Sequence, residues 1–174
     1  MKTLLTIREQ DVAPDAPVAD SSAFAKREAA RGVLIDEDGS VLLLRVGKHD
    51  YHKLPGGGID EGESIEDALA RELMEEVGCK GTVTAEVGIV VEYRDQFKLI
   101  QTSYCYLVKK QGEQVEAKLE PGEIAEGLHE VRVPSVQAAL ELLESDKPNN
   151  YEGLFIQQRD AMLLREAMKI LNNY

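Results

Sequence analysis

Residues 57–79 read GGIDEGESIEDALARELMEEVGC, a glycine turn followed by a stretch with the spacing of an amphipathic helix. Residues three and four positions apart share one face of a helix, so Glu72, Glu75 and Glu76 point in the same direction. On a helical wheel they fall inside the apolar stripe that contains Leu69 and Leu73. We therefore expect the three carboxylates to face the body of the protein.

This cluster of carboxylates needs positive partners. Carboxylates that are partly removed from water must be protonated, paired or bound to a metal ion, because burial of unpaired charge is strongly unfavourable. The segment 57–79 carries eight acidic residues and a single arginine. A divalent cation is the favoured partner, and carboxylate oxygens suit Mg²⁺, which keeps several waters and binds substrate phosphates.

The same segment resembles the Nudix box, a pattern of glycine, glutamate and arginine residues at fixed offsets. The matching positions are Gly57, Glu63, Arg71, Glu72, Leu73, Glu75, Glu76 and Gly78. Cys79 stands where an aliphatic residue is usual, and a buried cysteine behaves as a small hydrophobe. The resemblance implies an α/β fold of the Nudix type, an α/β/α sandwich in which helices flank a mixed β-sheet.

The resemblance also implies the roles of the matching residues. Glu72, Glu75 and Glu76 would be metal ligands, and one of them would act as the general base, although which one is left open. Glu63 and Arg71 would complete the catalytic group by supporting the site, since an arginine holds carboxylates through charge-assisted hydrogen bonds. Mg²⁺ is the implied cofactor, with Mn²⁺ as a substitute.

Two further segments are expected at this site. Glycines permit close backbone approach, so we expect Gly56 and Gly58 to contact substrate, while the family pattern implies that Gly57 offers its carbonyl oxygen to the metal. The loop 119–127, LEPGEIAEG, contains three glutamates that are candidates for a further metal ligand. Glu123 is the preferred candidate, although each of the three is also an ordinary solvated acid.

Aromatic and histidine side chains near the glycine turn are candidates for binding the base or sugar of a nucleotide. Tyr51 and His52 precede the turn, and Tyr104 lies in a later strand-like run. Their rings offer both stacking surface and polar atoms. Each of them is also explained by simple packing in the core.

Composition limits the partners and the location. The chain has 174 residues and a net charge of -12, which argues against broad binding to nucleic acid or anionic membrane. An acidic site also repels phosphorylated substrates unless metal ions reverse the local field. No apolar run approaches the roughly 18 residues of a membrane span, and no signal-peptide core is apparent. We expect a cytoplasmic protein with Cys79 and Cys105 reduced and buried.

The length of the chain suits one domain. The resemblance implies that residues 26–174 form a single Nudix domain, with residues 1–25 as an arm or edge strand, and a homodimer is expected through the N-terminal segment or the sheet edge. Ser64 and Asp67 predict a helix start of the capping-box type, and Gly78 predicts its end. Strands are predicted at 26–35, 41–46, 82–93, 97–108 and 128–133, and later helices from Pro134 and from about Glu152.

Three hypotheses about function remain. The favoured one is a Mg²⁺-dependent hydrolase that cleaves a diphosphate linkage in a small nucleotide, such as a nucleoside triphosphate, a nucleotide sugar like ADP-ribose or a dinucleoside polyphosphate. An RNA 5′-end pyrophosphohydrolase is disfavoured by the acidic composition. A non-catalytic nucleotide-sensing domain is disfavoured because every charged position of the box is intact.

Overall fold

Seven strands form one mixed sheet in the computed structural model, which describes residues 1–173. Among these residues, no helix is both long and apolar enough to cross a membrane. The strands are β1 (Thr3–Ile7), β2 (Ala25–Ile35), β3 (Val41–Val46), β4 (Tyr51–Lys53), β5 (Lys80–Arg94), β6 (Leu99–Gln111) and β7 (Leu128–Val133). The α-helices are α1 (Glu9–Val12), α2 (Ile65–Glu76), α3 (Pro121–Ala125), α4 (Val136–Ser145) and α5 (Tyr151–Asn172).

The sheet has the strand order β1-β5-β6-β2-β3-β4, and β7 pairs with β3. Strands β2 and β6 run parallel, as do β1 and β5, whereas β5 and β6 form a long antiparallel hairpin. The first strand thus lies at the edge of the sheet. The predicted mixed sheet is confirmed.

Helices cover both faces of the sheet. Neighbouring residues of a strand point to opposite faces, so the apolar side chains of the sheet divide between two core clusters. Val33 and Leu43 pack with Phe155 in the core cluster that contains the buried apolar residues of α4 and most of those of α5. Leu34 and Leu42 lie in the other cluster, which contains the buried residues of α2. This arrangement confirms the expected sandwich, and Cys79 and Cys105 are free and buried as expected.

Most element boundaries were close to the predictions, and three need correction. Strand β5 extends beyond the predicted 82–93 at both ends, whereas β6 begins later and ends later than the predicted 97–108, because Phe97 lies in a 3₁₀ turn between the strands. Helix α4 does not begin at Pro134, because the Ser135 hydroxyl caps it by accepting the Ala138 N–H at 3.1 Å.

Helix α2 begins and ends as its sequence indicates. The Ser64 hydroxyl accepts the Asp67 N–H at 3.1 Å and donates to the Asp67 carboxylate at 2.6 Å, so the side chains bond each other rather than forming the complete reciprocal box. The helix ends at Glu76, and Gly78 follows with a φ of +70°. A Cβ at Gly78 would overlap the carbonyl oxygen of Val115, so only glycine fits there.

We expect Ser64→Ala to lower the free energy of unfolding by about 1 kcal/mol, because an N–H of the first turn loses its acceptor. Urea denaturation measures this loss. Ser21→Ala is the control, since the Ser21 hydroxyl makes no hydrogen bond within residues 1–173, and its effect should stay within about 0.5 kcal/mol. Equal losses in the two variants would contradict the capping role.

Candidate active site

A polar pocket of about 240 Å³ opens where α2, α3 and the glycine turn meet β2 and β4. Six glutamates from α2 and from the segment 120–126 line it, together with three cationic side chains. The lining residues are Arg27, Arg31, Val46, Tyr51, Lys53, Gly56, Gly57, Gly58, Glu72, Glu75, Glu76, Glu120, Glu123, Glu126, Glu152 and Ile156. The predicted box acids thus share one pocket with acids that lie more than 40 residues further along the chain.

The three box glutamates are buried to different degrees. The side chain of Glu76 is 2% exposed, that of Glu72 12% and that of Glu75 39%. The gradient arises because Glu76 follows the buried Leu73 by three positions on the apolar face of α2. The inward orientation expected from the helical wheel is confirmed.

Glu76 is held by the segment that precedes the box. Its Oε2 accepts the Gly56 N–H at 2.6 Å, and its Oε1 lies 3.0 Å from the Lys53 ammonium. Both carboxylate oxygens therefore have a donor from residues 53–56. The position of this buried charge depends on the backbone of that segment.

Arg71 holds the remaining box acids. Its guanidinium donates to Glu63 at 2.9 Å, to Glu72 at 2.8 Å and to Glu75 at 3.2 Å, and it also donates to the Gly58 carbonyl at 2.9 Å. The hydrogen bond with Glu63 raises the pKa of Arg71 and lowers that of Glu63. Arg71 and Glu63 thus stand beside the pocket and orient its acids.

Two acids of the pocket have raised pKa values. Burial raises the pKa of Glu72, and the charge of Glu76 raises it further against the opposing effect of Arg71. Burial also raises the pKa of Glu123, whose carboxylate accepts the Glu120 N–H at 2.8 Å. Raised values mean that the ionised form is unfavourable here, so an added cation would stabilise it.

The donor atoms of the pocket fit a hard divalent cation. Within residues 1–173, no three acidic, histidine or cysteine side chains form a ready coordination cluster. Arg71, Lys53 and Gly56 engage the carboxylates of the box. A Cβ at Gly57 would overlap the Glu72 carboxylate, so glycine lets the backbone lie against this group. Oxygen donors of this kind suit Mg²⁺, and a bound metal ion would compete with the present partners of these carboxylates.

His52, which was expected to bind substrate, does not line this pocket. Its backbone N–H donates to Asp146 at 2.6 Å, and its Nδ1 lies 3.0 Å from the same carboxylate. Alternate residues of a strand point to opposite faces. In β4, Tyr51 and Lys53 therefore reach the pocket, whereas His52 faces the linker between α4 and α5.

Tyr104 also lies outside this pocket, although the residue that its hydroxyl contacts lines the adjoining cleft. Its hydroxyl donates to Glu28 at 2.7 Å, because its place on β6 lies beside the neighbouring strand rather than beside the glycine turn. Glu28 lines a separate cleft. The other predicted contacts, Gly56 and Gly58, do line the pocket, and a Cβ at Gly58 would approach Arg27 to 3.0 Å.

The cationic residues of the pocket were not predicted from the sequence. Arg31 is buried, donates to the Gly56 carbonyl through Nη1, and has no partner for Nε within the described structure. Its burial lowers the pKa to about 10. Arg27 and Arg31 are four positions apart on one strand and thus share a face. This spacing could have predicted from the sequence that their side chains lie on the same side of the sheet. Their closeness to the box acids depends on the packing of β2.

A family model described as the NUDIX domain matches residues 25–154. Over 49 residues the chain is 55% identical to an RNA pyrophosphohydrolase of Teredinibacter turnerae, a stretch that covers 28% of this chain and 29% of that protein. The matches to the curated relatives span about a third of the length of those proteins.

Solved structures share the architecture. A UDP-X diphosphatase superposes with a TM-score of 0.55 and 18% identity, over 91% of this chain and 68% of that one. An ADP-ribose pyrophosphatase from Streptococcus suis 89-1591 superposes with a TM-score of 0.53 and 20% identity, over 81% of this chain and 91% of that one. At such identities the likeness concerns the fold alone.

Proposed function

The chain belongs to the Nudix family, and from that premise we propose that it is a Mg²⁺-dependent hydrolase of a diphosphate linkage in a small nucleotide. One observation carries this proposal. A single pocket contains both the acids of the box and the cations Arg27, Arg31 and Lys53. Acids alone would suit a metal ion, whereas acids together with cations suit a metal ion and the phosphates that it binds.

Glu72, Glu75 and Glu76 would hold Mg²⁺, with Glu123 as the preferred further ligand and the Gly57 carbonyl beside them. The bound metal would neutralise phosphoryl oxygens and lower the pKa of a bound water. The Gly57 carbonyl accepts the Ala30 N–H at 2.9 Å, and a carbonyl oxygen has a second lone pair for another partner.

The cations of the chain would bind and orient the phosphates. Arg31 is the strongest candidate, because its buried guanidinium lines the pocket with its Nε unpartnered in the described residues, and leaving such a donor unsatisfied is costly. A phosphate oxygen would supply the missing acceptor. Arginine suits this role because its planar group matches phosphate geometry. Lys53 would add a point charge beside Glu76.

A second cleft provides room for the rest of the substrate. It measures about 890 Å³ and shares Arg27 with the acidic pocket, so the two cavities adjoin. Ile59, Ile100 and Tyr93 give it apolar and aromatic walls, and Glu28 adds a carboxylate. A flat base with polar edges suits such a surface. The proposed substrate therefore has its diphosphate in the acidic pocket and a nucleoside in the cleft.

The similarity to RNA pyrophosphohydrolases makes a 5′-triphosphorylated RNA the second candidate substrate. That similarity covers 27 to 64 residues of the chain. The net charge of -12 disfavours this candidate, because RNA binding draws most of its affinity from cationic contacts with phosphates.

Product release from a substrate panel tests the proposal. The panel contains nucleoside triphosphates, ADP-ribose, nucleotide sugars, dinucleoside polyphosphates and a 5′-triphosphorylated RNA, each with Mg²⁺ and with excess chelator. Turnover of a small nucleotide that chelator abolishes and Mg²⁺ restores is the expected result. Turnover of RNA alone would favour the second candidate, and nucleotide binding without any product would indicate a sensor.

A further inference from the structure

Helix α5 places two charged residues, Arg159 and Asp160, in the core of the protein. Both side chains are fully buried, and their neighbours on the helix, such as Phe155 and Leu163, belong to the apolar core. The family model ends at residue 154, before this pair. Burying an ion pair costs desolvation energy that an apolar pair would avoid.

Asp160 reaches the backbone of the active-site turn. Its Oδ2 accepts the Leu54 N–H at 2.8 Å, across 106 positions of sequence. Its Oδ1 accepts the Arg159 Nε at 2.7 Å, and its Oδ2 also accepts Nη2 at 3.2 Å. The Asp160 carboxylate therefore accepts hydrogen bonds from Arg159 of α5 and from the first residue of the turn 54–58.

The carboxylate is in turn fixed by a buried network. Arg159 lies 3.4 Å from Glu92, whose other oxygen accepts the Arg94 guanidinium at 2.8 Å. Gln101 donates to Glu92 at 3.3 Å. All of these side chains are buried. A network with so many partners leaves Asp160 a single well-defined position.

Leu54 lies in the chain between the two residues that donate hydrogen bonds to Glu76. Lys53 directly precedes it and Gly56 follows two residues later, and these groups contact the two oxygens of Glu76. From this connection we infer that Asp160 is a positioning residue, which acts through the Leu54 N–H to place the donors that hold Glu76. The inference rests on the proposed function for its catalytic consequence, and on the contacts alone for its structural one.

Other contacts on the turn come from β2. The Gly32 N–H donates to the Pro55 carbonyl at 3.0 Å, and the Ala30 N–H to the Gly57 carbonyl at 2.9 Å. These bonds fix the middle of the turn, whereas the contact from Asp160 fixes its first residue. Loss of Asp160 should therefore shift residues 53–56 without unfolding the sheet.

The test compares Asp160→Ala with Glu92→Gln. Both changes disturb the same buried network, but Glu92 makes no contact with the turn within residues 1–173. For Asp160→Ala we expect kcat to fall by about 10²-fold with little change in KM, as small misplacements at a catalytic site do. For Glu92→Gln we expect a comparable loss of thermal stability with kcat within about threefold of the wild type, because the two hydrogen bonds from Arg159 to Asp160 and the contact of Asp160 with the Leu54 N–H remain.

Hydrogen exchange provides a readout that does not depend on activity. The amides of Leu54 and Gly56 should exchange at least about tenfold faster in Asp160→Ala, while the amide of Ala30 keeps its rate, because only the former lose their local protection. Asp160→Glu, which keeps the charge beside Arg159 but displaces the carboxylate, gives the same comparison should the alanine variant not fold. Unchanged exchange at Leu54, or equal kcat losses in Asp160→Ala and Glu92→Gln, would overturn the inference.

The two proposals fail in different ways. A wild type without turnover on any substrate would contradict the proposed function, and the exchange rates of Leu54 and Gly56 would still test the structural role of Asp160. Turnover in the wild type together with normal kcat in a folded Asp160→Ala variant would contradict the positioning role and leave the proposed function standing.

Discussion

Glu76→Gln is expected to lower kcat by about 10²- to 10⁴-fold, the range for loss of an essential group in acid–base catalysis. Glu76 is the most buried acid of the box, and both of its oxygens are engaged by residues of the preceding segment. Glutamine keeps the shape of the side chain but removes its charge. Whether Glu76 binds the metal or acts as the base, the reaction therefore loses a negative group that the pocket holds in place.

The measurement is steady-state kinetics on the best substrate of the panel, with thermal unfolding as a check of the fold. Glu66→Gln is the matched control, since Glu66 lies in the same helix but is exposed to solvent. Its kcat should stay within about twofold of the wild type, because surface changes away from a site have small effects. Full activity of Glu76→Gln would remove this residue from the proposed catalytic group.

Arg159→Met is expected to lower the free energy of unfolding by about 3–5 kcal/mol, the range for removing one member of a buried ion pair. Arg159 is fully buried between Asp160 and Glu92. Burial by itself would lower the pKa of Arg159, but these two carboxylates raise it overall. Methionine has a similar volume. The loss of unfolding free energy therefore measures the cost of leaving two buried carboxylates without their cation.

Arg165→Met on the same helix is the control for this stability prediction. Arg165 pairs with Glu144, and both side chains are nearly half exposed, at 47% and 44%. Exposed pairs contribute about 1 kcal/mol or less. Urea denaturation of both variants, with an unchanged dependence on denaturant, measures the difference. A loss at Arg159 as small as that at Arg165 would show that the buried network contributes little to stability.

The helix that carries the site was predictable because its signals are local. Ser64, Asp67 and Gly78 mark its ends, and the spacing of the glutamates against Leu73 shows which way they point. Such patterns act between residues three or four apart, where helix geometry alone decides which side chains are neighbours. Strands β3 and β7 were equally predictable, since β3 is a short apolar run, β7 carries several strand-forming residues, and both are bounded by turn signals.

His52 shows where local signals end. Its side chain suits a nucleotide, but residue type does not reveal which face of a strand meets the pocket. Strand alternation would have grouped Tyr51 with Lys53. The choice between that pair and His52 depended on which side of β4 lies next to the acids, which is a property of the assembled sheet.

Local sequence patterns predicted the box helix, the inward direction of its three carboxylates and the family pattern that they carry. The pocket that Arg27, Arg31 and Lys53 share with those carboxylates appears only in the folded protein, as does the contact of Asp160 with the backbone of Leu54. The difference comes from the range of the interactions. Periodicity and capping act within one or two helical turns, whereas contacts across 106 residues exist only after the sheet and its helices have packed.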